Sequence, residues 1–228
     1  NNILIETIDD DGDQLDQNNL SNIQIRKIRR IKKNKNDNFY GMPEVIEDLY
    51  WCPTTKQEIL LKKQKLHYDK HGNIEYREIF DANNTFCYLL KSQYDDHGNL
   101  ILKTNPLDQQ ATFSYDANDN CIQKTDFGGV QTRTEFDLRN RSTTKTVTTP
   151  ESDKRTYRSV FNQLDQITQS WDQFGNPTDY TYDPLGRCIA EKYPKCPLFE
   201  SPPKHPITKK SYDAAGNITH SRDADGYA

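Results

Sequence analysis

A cluster of carboxylates near the start of the chain has the residue types of a calcium loop. The cluster comprises Asp9, Asp10, Asp11, Asp13 and Asp16. An EF-hand loop needs a glycine directly after the third acidic ligand and a glutamate at its twelfth position. Gln14 and Leu20 occupy those two places. The segment is therefore interpreted as a solvated turn, and no calcium site is predicted.

A basic run follows at residues 26–33, where six of eight side chains are Arg or Lys. Such a run can contact nucleic acid or an anionic surface. Ile25, Ile28 and Ile31 recur every three residues, which favours a solvated strand or short helix that packs its isoleucines on the rest of the protein. Across the whole chain 30 basic residues stand against 34 acidic ones, a balance that indicates no nucleic-acid partner.

The cysteines and histidines do not have metal-ligand spacing. The five cysteines are Cys52, Cys87, Cys121, Cys188 and Cys196, with no Cys-x-x-Cys pair. An odd count in a chain of 228 residues also argues against a disulfide framework. His71 and His97 share one position of a recurring motif, while His67, His205 and His220 have no partner at a useful distance. No metal site and no cofactor are predicted.

Catalytic signatures are also missing. The chain has no Gly-x-Ser-x-Gly, Walker or dinucleotide fingerprint. Its many aspartates could form acid/base pairs, but most of them belong to a repeated motif with a structural explanation. The sequence therefore predicts no catalytic residue and a protein that is not an enzyme.

That motif is an aromatic residue followed by Asp or Asn, two variable residues, and Gly, Asp or Asn. Three of its six spacings are 21 residues. Short units repeated at such a period typify proteins in which each unit is stabilised by its neighbours. The seven copies begin at Tyr68, Tyr94, Tyr115, Phe136, Phe161, Tyr182 and Tyr212.

The tetrad Asp-x-x-Gly inside the motif predicts a type I turn closed by a left-handed residue. Asp or Asn at the first position can accept hydrogen bonds from the backbone ahead of it, and glycine suits the fourth position. Asp119, Asn140 and Asp165 replace the glycine in three copies. Asn and Asp tolerate left-handed geometry better than other side chains, so these copies are predicted to turn in the same way.

The same tetrad recurs between the copies, so that turns follow each other every 10 or 11 residues in several stretches. Six or seven intervening residues suit a strand and leave no room for a helix. These turns begin at Asp81, Asn105, Asp126, Asp172 and Asp223. The predicted fold is all-β, a curved antiparallel meander of hairpins.

The predicted core lies on one face of this meander. The residue six positions after each aromatic should be its cross-strand neighbour. At six of the seven copies it is Ile74, Leu100, Cys121, Ile167, Cys188 or Ile218. Cys121 and Cys188 are therefore interpreted as small core residues. Only 33% of residues are hydrophobic, but 13 Tyr, 9 Phe and 2 Trp suffice for a thin core.

Three segments depart from the pattern. Residues 142–159 lack a clear second turn, and residues 150–153 are predicted to form an irregular loop. Residues 194–210 contain five prolines and are predicted to project as an insertion. Residues 1–65 form a divergent N-terminal segment, and residues 66–228 form the repeat segment.

The repeat resembles the Rhs/YD-repeat family, which includes bacterial Rhs proteins, cocoon-forming components of insecticidal Tc toxins, wall-associated repeat proteins and teneurins. The stretches Trp171–Arg187 and Thr112–Thr134 are close to ideal units. The resemblance covers about residues 66–228 and implies a long β-strip that spirals into a hollow shell. Some Rhs proteins cleave themselves through aspartates after the last repeat, and that activity is not carried over, because Asp183 falls inside a repeat.

The resemblance implies a structural shell segment of a larger secreted or cell-surface protein that encloses or presents a C-terminal toxin. Its partners would be the remainder of the same polypeptide, with a cell-surface or secretion-system partner also expected. An adhesive module that binds carbohydrate or protein is the alternative, and a glycan-active enzyme is a third. No membrane span is predicted, and the chain is expected to be a piece of a longer protein.

Overall fold

The computed structural model describes residues 4–10, 26–35, 39–195 and 206–223. These residues form seventeen strands and no α-helix, so the all-β prediction is confirmed. The strands are β1 Leu4–Asp10, β2 Arg26–Lys33, β3 Pro43–Cys52, β4 Gln57–Tyr68, β5 Ile74–Phe80, β6 Phe86–Tyr94, β7 Leu100–Thr104, β8 Gln110–Tyr115, β9 Cys121–Thr125, β10 Gln131–Phe136, β11 Ser142–Thr148, β12 Lys154–Phe161, β13 Ile167–Trp171, β14 Pro177–Tyr182, β15 Cys188–Lys192, β16 Ile207–Tyr212 and β17 Ile218–Arg222. The chain divides into two compact units, Asn1–Phe113 and Ser114–Ala228.

In the first unit each strand from β1 to β7 pairs antiparallel with the next strand, so that the series ends at β8. Its thin core includes Ile28, Leu49, Leu66 and Ile79, which are all buried. Ile28 lies opposite Leu49 across the sheet, and Ile8 lies opposite Ile28 on the other side. A row of apolar residues therefore crosses the first strands, where the sequence showed no repeat.

In the second unit β9 to β17 form the same kind of antiparallel meander. None of its described apolar side chains is fully buried. Its core consists instead of half-buried rings such as Phe136, Phe161, Tyr182 and Tyr212. This matches the expected thin core, since one sheet alone cannot bury large side chains completely.

At six of the seven copies the register pairs the aromatic with the residue six positions later, as predicted. The pairs are Tyr68 with Ile74, Tyr94 with Leu100, Phe136 with Ser142, Phe161 with Ile167, Tyr182 with Cys188 and Tyr212 with Ile218. Each pair sits beside a β-bulge at the turn. The interpretation of Cys188 as a small core residue fits this position, and burial raises the pKa of its thiol.

The predicted turns share one hydrogen-bond pattern. At Asp137, for example, the backbone N–H donates to the carbonyl of Arg141, and the N–H of Asn140 donates back to the carbonyl of Asp137. The fourth residue has a positive φ whether it is glycine, as at Gly186, or not, as at Asp119, Asn140 and Asp165. The left-handed geometry predicted for those three substituted copies is confirmed.

The prediction of an irregular loop at residues 150–153 was wrong. Thr149 and Asp153 close a turn of the same type, with N–H to carbonyl hydrogen bonds of 2.9 Å from Thr149 to Asp153 and from Ser152 to Thr149. Ser152 takes the left-handed position with φ 69°. The motif was missed because a threonine hydroxyl replaces the Asp side chain as acceptor, receiving the Asp153 N–H at 3.3 Å.

The proline-rich insertion ends earlier than predicted, because residues 207–210 belong to β16. The N–H of Tyr193 donates to the carbonyl of Pro206 at 2.9 Å and closes the base of the insertion. Residues 196–205 lie outside the described part of the chain, as does most of the turn that begins at Asp223. Residue 66 lies inside β4, so no strand begins or ends at the predicted boundary. The division into a segment 1–65 and a repeat segment 66–228 therefore stays a prediction from the sequence.

Candidate functional site

The basic run forms β2, and three of its six basic side chains form ion pairs within the first unit. Arg29 contacts Asp48 at 2.7 Å, and Lys32 contacts Glu47 at 3.1 Å. Arg30 contacts both Glu6 at 2.6 Å and Glu58 at 2.8 Å. Ile28 and Ile31 do not share a face, because residues three apart on a strand point to opposite sides, and Ile25 lies outside the described residues. These ion pairs favour the solvated-strand interpretation over an anionic ligand.

The other sites considered from the sequence are only partly described. Asp9 and Asp10 end β1, whereas the rest of the acidic cluster, Cys196 and His205 lie outside the described residues. Within the described ranges no three His, Cys, Asp or Glu side chains are grouped to hold a metal ion. Cys52, Cys87, Cys121 and Cys188 are free thiols. No helix in the described part has the length and apolar character needed to cross a membrane.

The turn aspartates form the most regular arrangement of functional groups in the molecule. Asp137 Oδ1 accepts the N–H groups of Arg139 at 2.8 Å and Arg141 at 3.1 Å. Its Oδ2 accepts Nε of Arg141 at 2.7 Å. This side-chain hydrogen bond, with the two backbone bonds, lowers the pKa of Asp137 to about 2. The carboxylate is thus fixed in its ionised form as a structural acceptor.

In the seven copies of the motif the fifth residue of the turn, counted from its first Asp or Asn, is Asn, Arg or Gln, and Asn and Arg there perform the same local task. Asn120 donates from Nδ2 to Asp116 Oδ2 at 3.0 Å, and Arg187 donates from Nε to Asp183 Oδ2 at 2.6 Å. The hydrogen bond from Asn120 lowers the pKa of Asp116. Both side chains therefore lock the turn on which they stand.

Successive turns on one side of the second unit are also joined to each other, and we call this series the turn ladder. It comprises the turns that begin at Asp116, Asp137, Asn162, Asp183 and Asp213. Its links are Asn120 Nδ2 to Asn140 Oδ1 at 2.8 Å, Arg141 Nη1 to the Asn162 carbonyl at 2.8 Å, Gln166 Nε2 to the Gly186 carbonyl at 3.0 Å and Arg187 Nη1 to the Asp213 carbonyl at 2.8 Å. Each turn of the ladder is thus hydrogen-bonded to the next.

The rings add a second set of links between repeats. The hydroxyl of Tyr182 donates to the Ile167 carbonyl at 2.8 Å, and that of Tyr212 donates to the Cys188 carbonyl at 2.9 Å. The guanidinium of Arg187 lies over the Tyr212 ring, 4.8 Å from its centroid. Sequence reasoning assigned these rings to the core and missed their polar role. The signal was present, since most copies carry Tyr where Phe would bury as much surface.

An open groove of about 430 Å³ lies beside the turn ladder. Arg158 and Trp171, which are cross-strand partners, line it together with Phe161, Asp137 and Arg141. The exposed Arg158 forms no ion pair with any described residue. The groove therefore offers a ring and an unmatched positive charge to a ligand.

Comparison with known proteins supports the repeat assignment. Residues 94–131 match the model of the RHS repeat family, which confirms the Rhs/YD-repeat resemblance. No curated protein matches the chain by sequence.

Two crystal structures share the fold. That of TcdB2-TccC3 without its hypervariable C-terminal region is 14% identical and has a TM-score of 0.59. That of TcdB2-TccC3-Cdc42 is 15% identical and has the same TM-score. In both, the match covers 87% of this chain and 10% of the other. The chain therefore spans about a tenth of the length of the structures it resembles.

Proposed function

We propose that the chain is a structural segment of a β-strip shell, in a larger secreted or cell-surface protein of Rhs type that encloses or presents a toxin or effector domain. The observation that carries this proposal is the turn ladder. Its links join each repeat to the next through side chains of the turns themselves. Such a strip can be extended by further repeats without changing its construction.

The polar composition supports the same role. A single sheet of half-buried rings leaves one face wet, and that suits a wall between two aqueous compartments better than a compact domain. The partners of this segment would be the remaining repeats of the polypeptide and the domain they surround. The fold shared with two much longer TcdB2-TccC3 structures also supports a place within a larger assembly.

A protease experiment on the natural polypeptide tests containment. The variant Asp183→Ala with Arg187→Ala removes one turn lock and its link to the next turn. In the wild-type protein we expect a following domain to resist digestion, and in the variant to be cut sooner. A matched double substitution of exposed residues, Lys154→Ala with Arg155→Ala, should leave protection unchanged. Equal digestion of wild type and ladder variant would refute containment.

We further propose that the segment supplies no catalytic group. Catalysis needs several titratable groups that converge in a pocket. The turn carboxylates are instead held by their own backbones, and equivalent ones lie a repeat apart. The purified chain should show no hydrolase or glycosidase turnover. Turnover lost on changing one or two carboxylates would contradict the proposal.

The adhesive alternative is favoured by the groove beside the turn ladder. At the surface, Trp171 could stack on a ligand, and the unpaired Arg158 could pair with a negative charge on it. Binding of the chain to intact cells should then fall on Arg158→Gln and persist on Arg155→Gln, which alters the opposite face of the same strand. Equal binding by all three proteins would exclude the groove as the adhesive site.

A further inference from the structure

Three leucines stand almost fully exposed at the tips of consecutive turns of the turn ladder. Leu138, Leu164 and Leu185 expose 103%, 74% and 75% of their surface. They lie in the turns between β10 and β11, β12 and β13, and β14 and β15, which an antiparallel meander places on one edge of the second unit. We call them the leucine row.

The turns do not require these side chains. The first and fourth residues of each turn supply its side-chain acceptor and its left-handed geometry, and the two middle residues face solvent. The flanking turns of the same edge hold Ala117 with Asn118 and Ala214 with Ala215 at the middle positions. On this edge of the second unit, the large apolar tips are thus three in a row, whereas the exposed Leu107 of the first unit and Phe174 of the opposite edge stand singly and need no explanation.

The spacing of the row is fixed by the ladder. Turns on one edge are two strands apart, or about 10 Å. Arg139 Nη1 joins the first of these turns to the second through Asp165 Oδ1 at 2.9 Å, and Gln166 joins the second to the third. The leucines are therefore held as separate protruding points on a stiff edge.

We propose that the leucine row is a membrane-surface contact, which inserts its three side chains into the interfacial region of a lipid bilayer. A stable protein interface uses about 20 to 30 residues a side over a continuous, complementary surface. Three isolated side chains at turn tips provide neither the area nor the continuous surface. A bilayer interface needs no matching pockets, and its binding strength scales with the apolar area that is buried.

The charges of this edge indicate which lipids it suits. Arg139 and Arg141 both contact Asp165, at 2.9 and 2.7 Å, and Arg187 contacts Asp183 at 2.6 Å. The edge therefore carries matched charges rather than a basic patch. Binding should rest on the leucines and should occur on vesicles of neutral phosphatidylcholine, without a requirement for anionic lipid.

Flotation of the 228-residue chain with phosphatidylcholine vesicles tests the proposal. The triple variant Leu138→Ser, Leu164→Ser and Leu185→Ser should lower the partition coefficient by about tenfold or more. Phe174→Ser is the matched control, because Phe174 is 79% exposed at a turn on the opposite edge of the same unit. That variant should bind vesicles like the wild type. Circular dichroism should show both variants folded, since none of the altered side chains is buried.

A second measurement separates insertion from other contacts. Leu164→Trp should shift its emission to shorter wavelength when vesicles are added, and Phe174→Trp should not. Absence of wild-type binding, equal loss in the triple variant and the control, or binding that needs anionic lipid would each overturn the proposal. Sedimentation showing that the triple variant dissociates an oligomer would overturn it in favour of self-association. These outcomes are independent of the shell function.

Discussion

The fifth residue of the turn motif shows how one side chain performs both a local and a longer-range task. Asn at this position reaches the carboxylate of its own turn, as Asn217 reaches Asp213 at 3.0 Å. Arg at this position reaches that carboxylate and also the backbone of the next turn, because its guanidinium has several N–H donors. Asn120 and Gln166 also reach the next turn, so side chains of different types at this position can join neighbouring repeats.

The charge of Asp137 should stabilise the second unit in a pH-dependent way. Asp137→Asn keeps an oxygen for the two backbone hydrogen bonds but removes the carboxylate that pairs with Arg141. The folded-state pKa of about 2 is below the usual 3.8, so the stabilisation is complete above pH 4 and is lost as the pH falls through 2. Urea unfolding should show the variant less stable than wild type at pH 7, and this difference should disappear as the pH falls through 2.

Asp172→Asn is the control for this experiment, because Asp172 receives a neutral Asn176 side chain instead of an arginine. Its destabilisation at pH 7 should be smaller than that of Asp137→Asn. Identical effects of the two substitutions, or a difference in stability that does not shrink as the pH falls through 2, would contradict the electrostatic explanation.

The tyrosine hydroxyls should contribute measurably to the links between repeats. Tyr182→Phe removes the 2.8 Å hydrogen bond to the Ile167 carbonyl and should lower the free energy of unfolding by about 1 kcal/mol. Tyr157→Phe removes an exposed contact to Gln173 and should change stability little. Thermal unfolding of the three proteins compares them, and equal midpoints for Tyr182→Phe and wild type would argue against the role.

At the scale of the element, the turn is what the sequence predicted best. Asp or Asn at the first position and Gly, Asn or Asp at the fourth determine the backbone locally, so the register of the strands followed from spacing alone. The Thr149 turn was missed because the same geometry was reached with different residues. The pairing of β1 with β2 and of β2 with β3 was not predicted, since these strands lack that spacing.

The left-handed fourth position yields a test of turn strain. Gly175 has φ 80° and no atom within 4 Å of an added Cβ, so Gly175→Ala isolates the backbone cost of roughly 1–2 kcal/mol. Ser152→Gly relieves the same strain and should be neutral or stabilising. Gly128→Ala, at a glycine without positive φ, should be tolerated. Chemical denaturation measures the free energy of unfolding of the three variants. A Ser152→Gly variant less stable than wild type would contradict the explanation by backbone strain.

At the scale of the whole molecule, the ladder links were beyond prediction from sequence. Arg141 and Asn162 are 21 residues apart, and nothing local indicates that an arginine in one turn reaches the carbonyl of the next. The same holds for the groove, which depends on Arg158 and Trp171 meeting across two strands. Local geometry could be derived from residue types, whereas contacts between repeats required the pairing to be known.

Protection against hydrogen exchange should vary along the second unit. The five residues of β17, which pairs with β16, are all exposed. β13 has a partner on each side and no exposed residue. Amides of β17 should therefore exchange faster than those of β13 when followed by mass spectrometry. Equal rates would show that the unit opens only as a whole.

The insertion between β15 and β16 has an evolutionary consequence. Its base is closed by the hydrogen bond from Tyr193 to Pro206, and β15 and β16 pair directly beyond it, with Lys192 opposite Ile207. The number of residues between β15 and β16 therefore does not affect the register in which these two strands pair. Segments of different size and chemistry can be gained or lost at such a point while neighbouring hairpins stay in place. Differences in sequence and length among relatives should therefore concentrate in the loops at the edges of the strip, while the strands change more slowly.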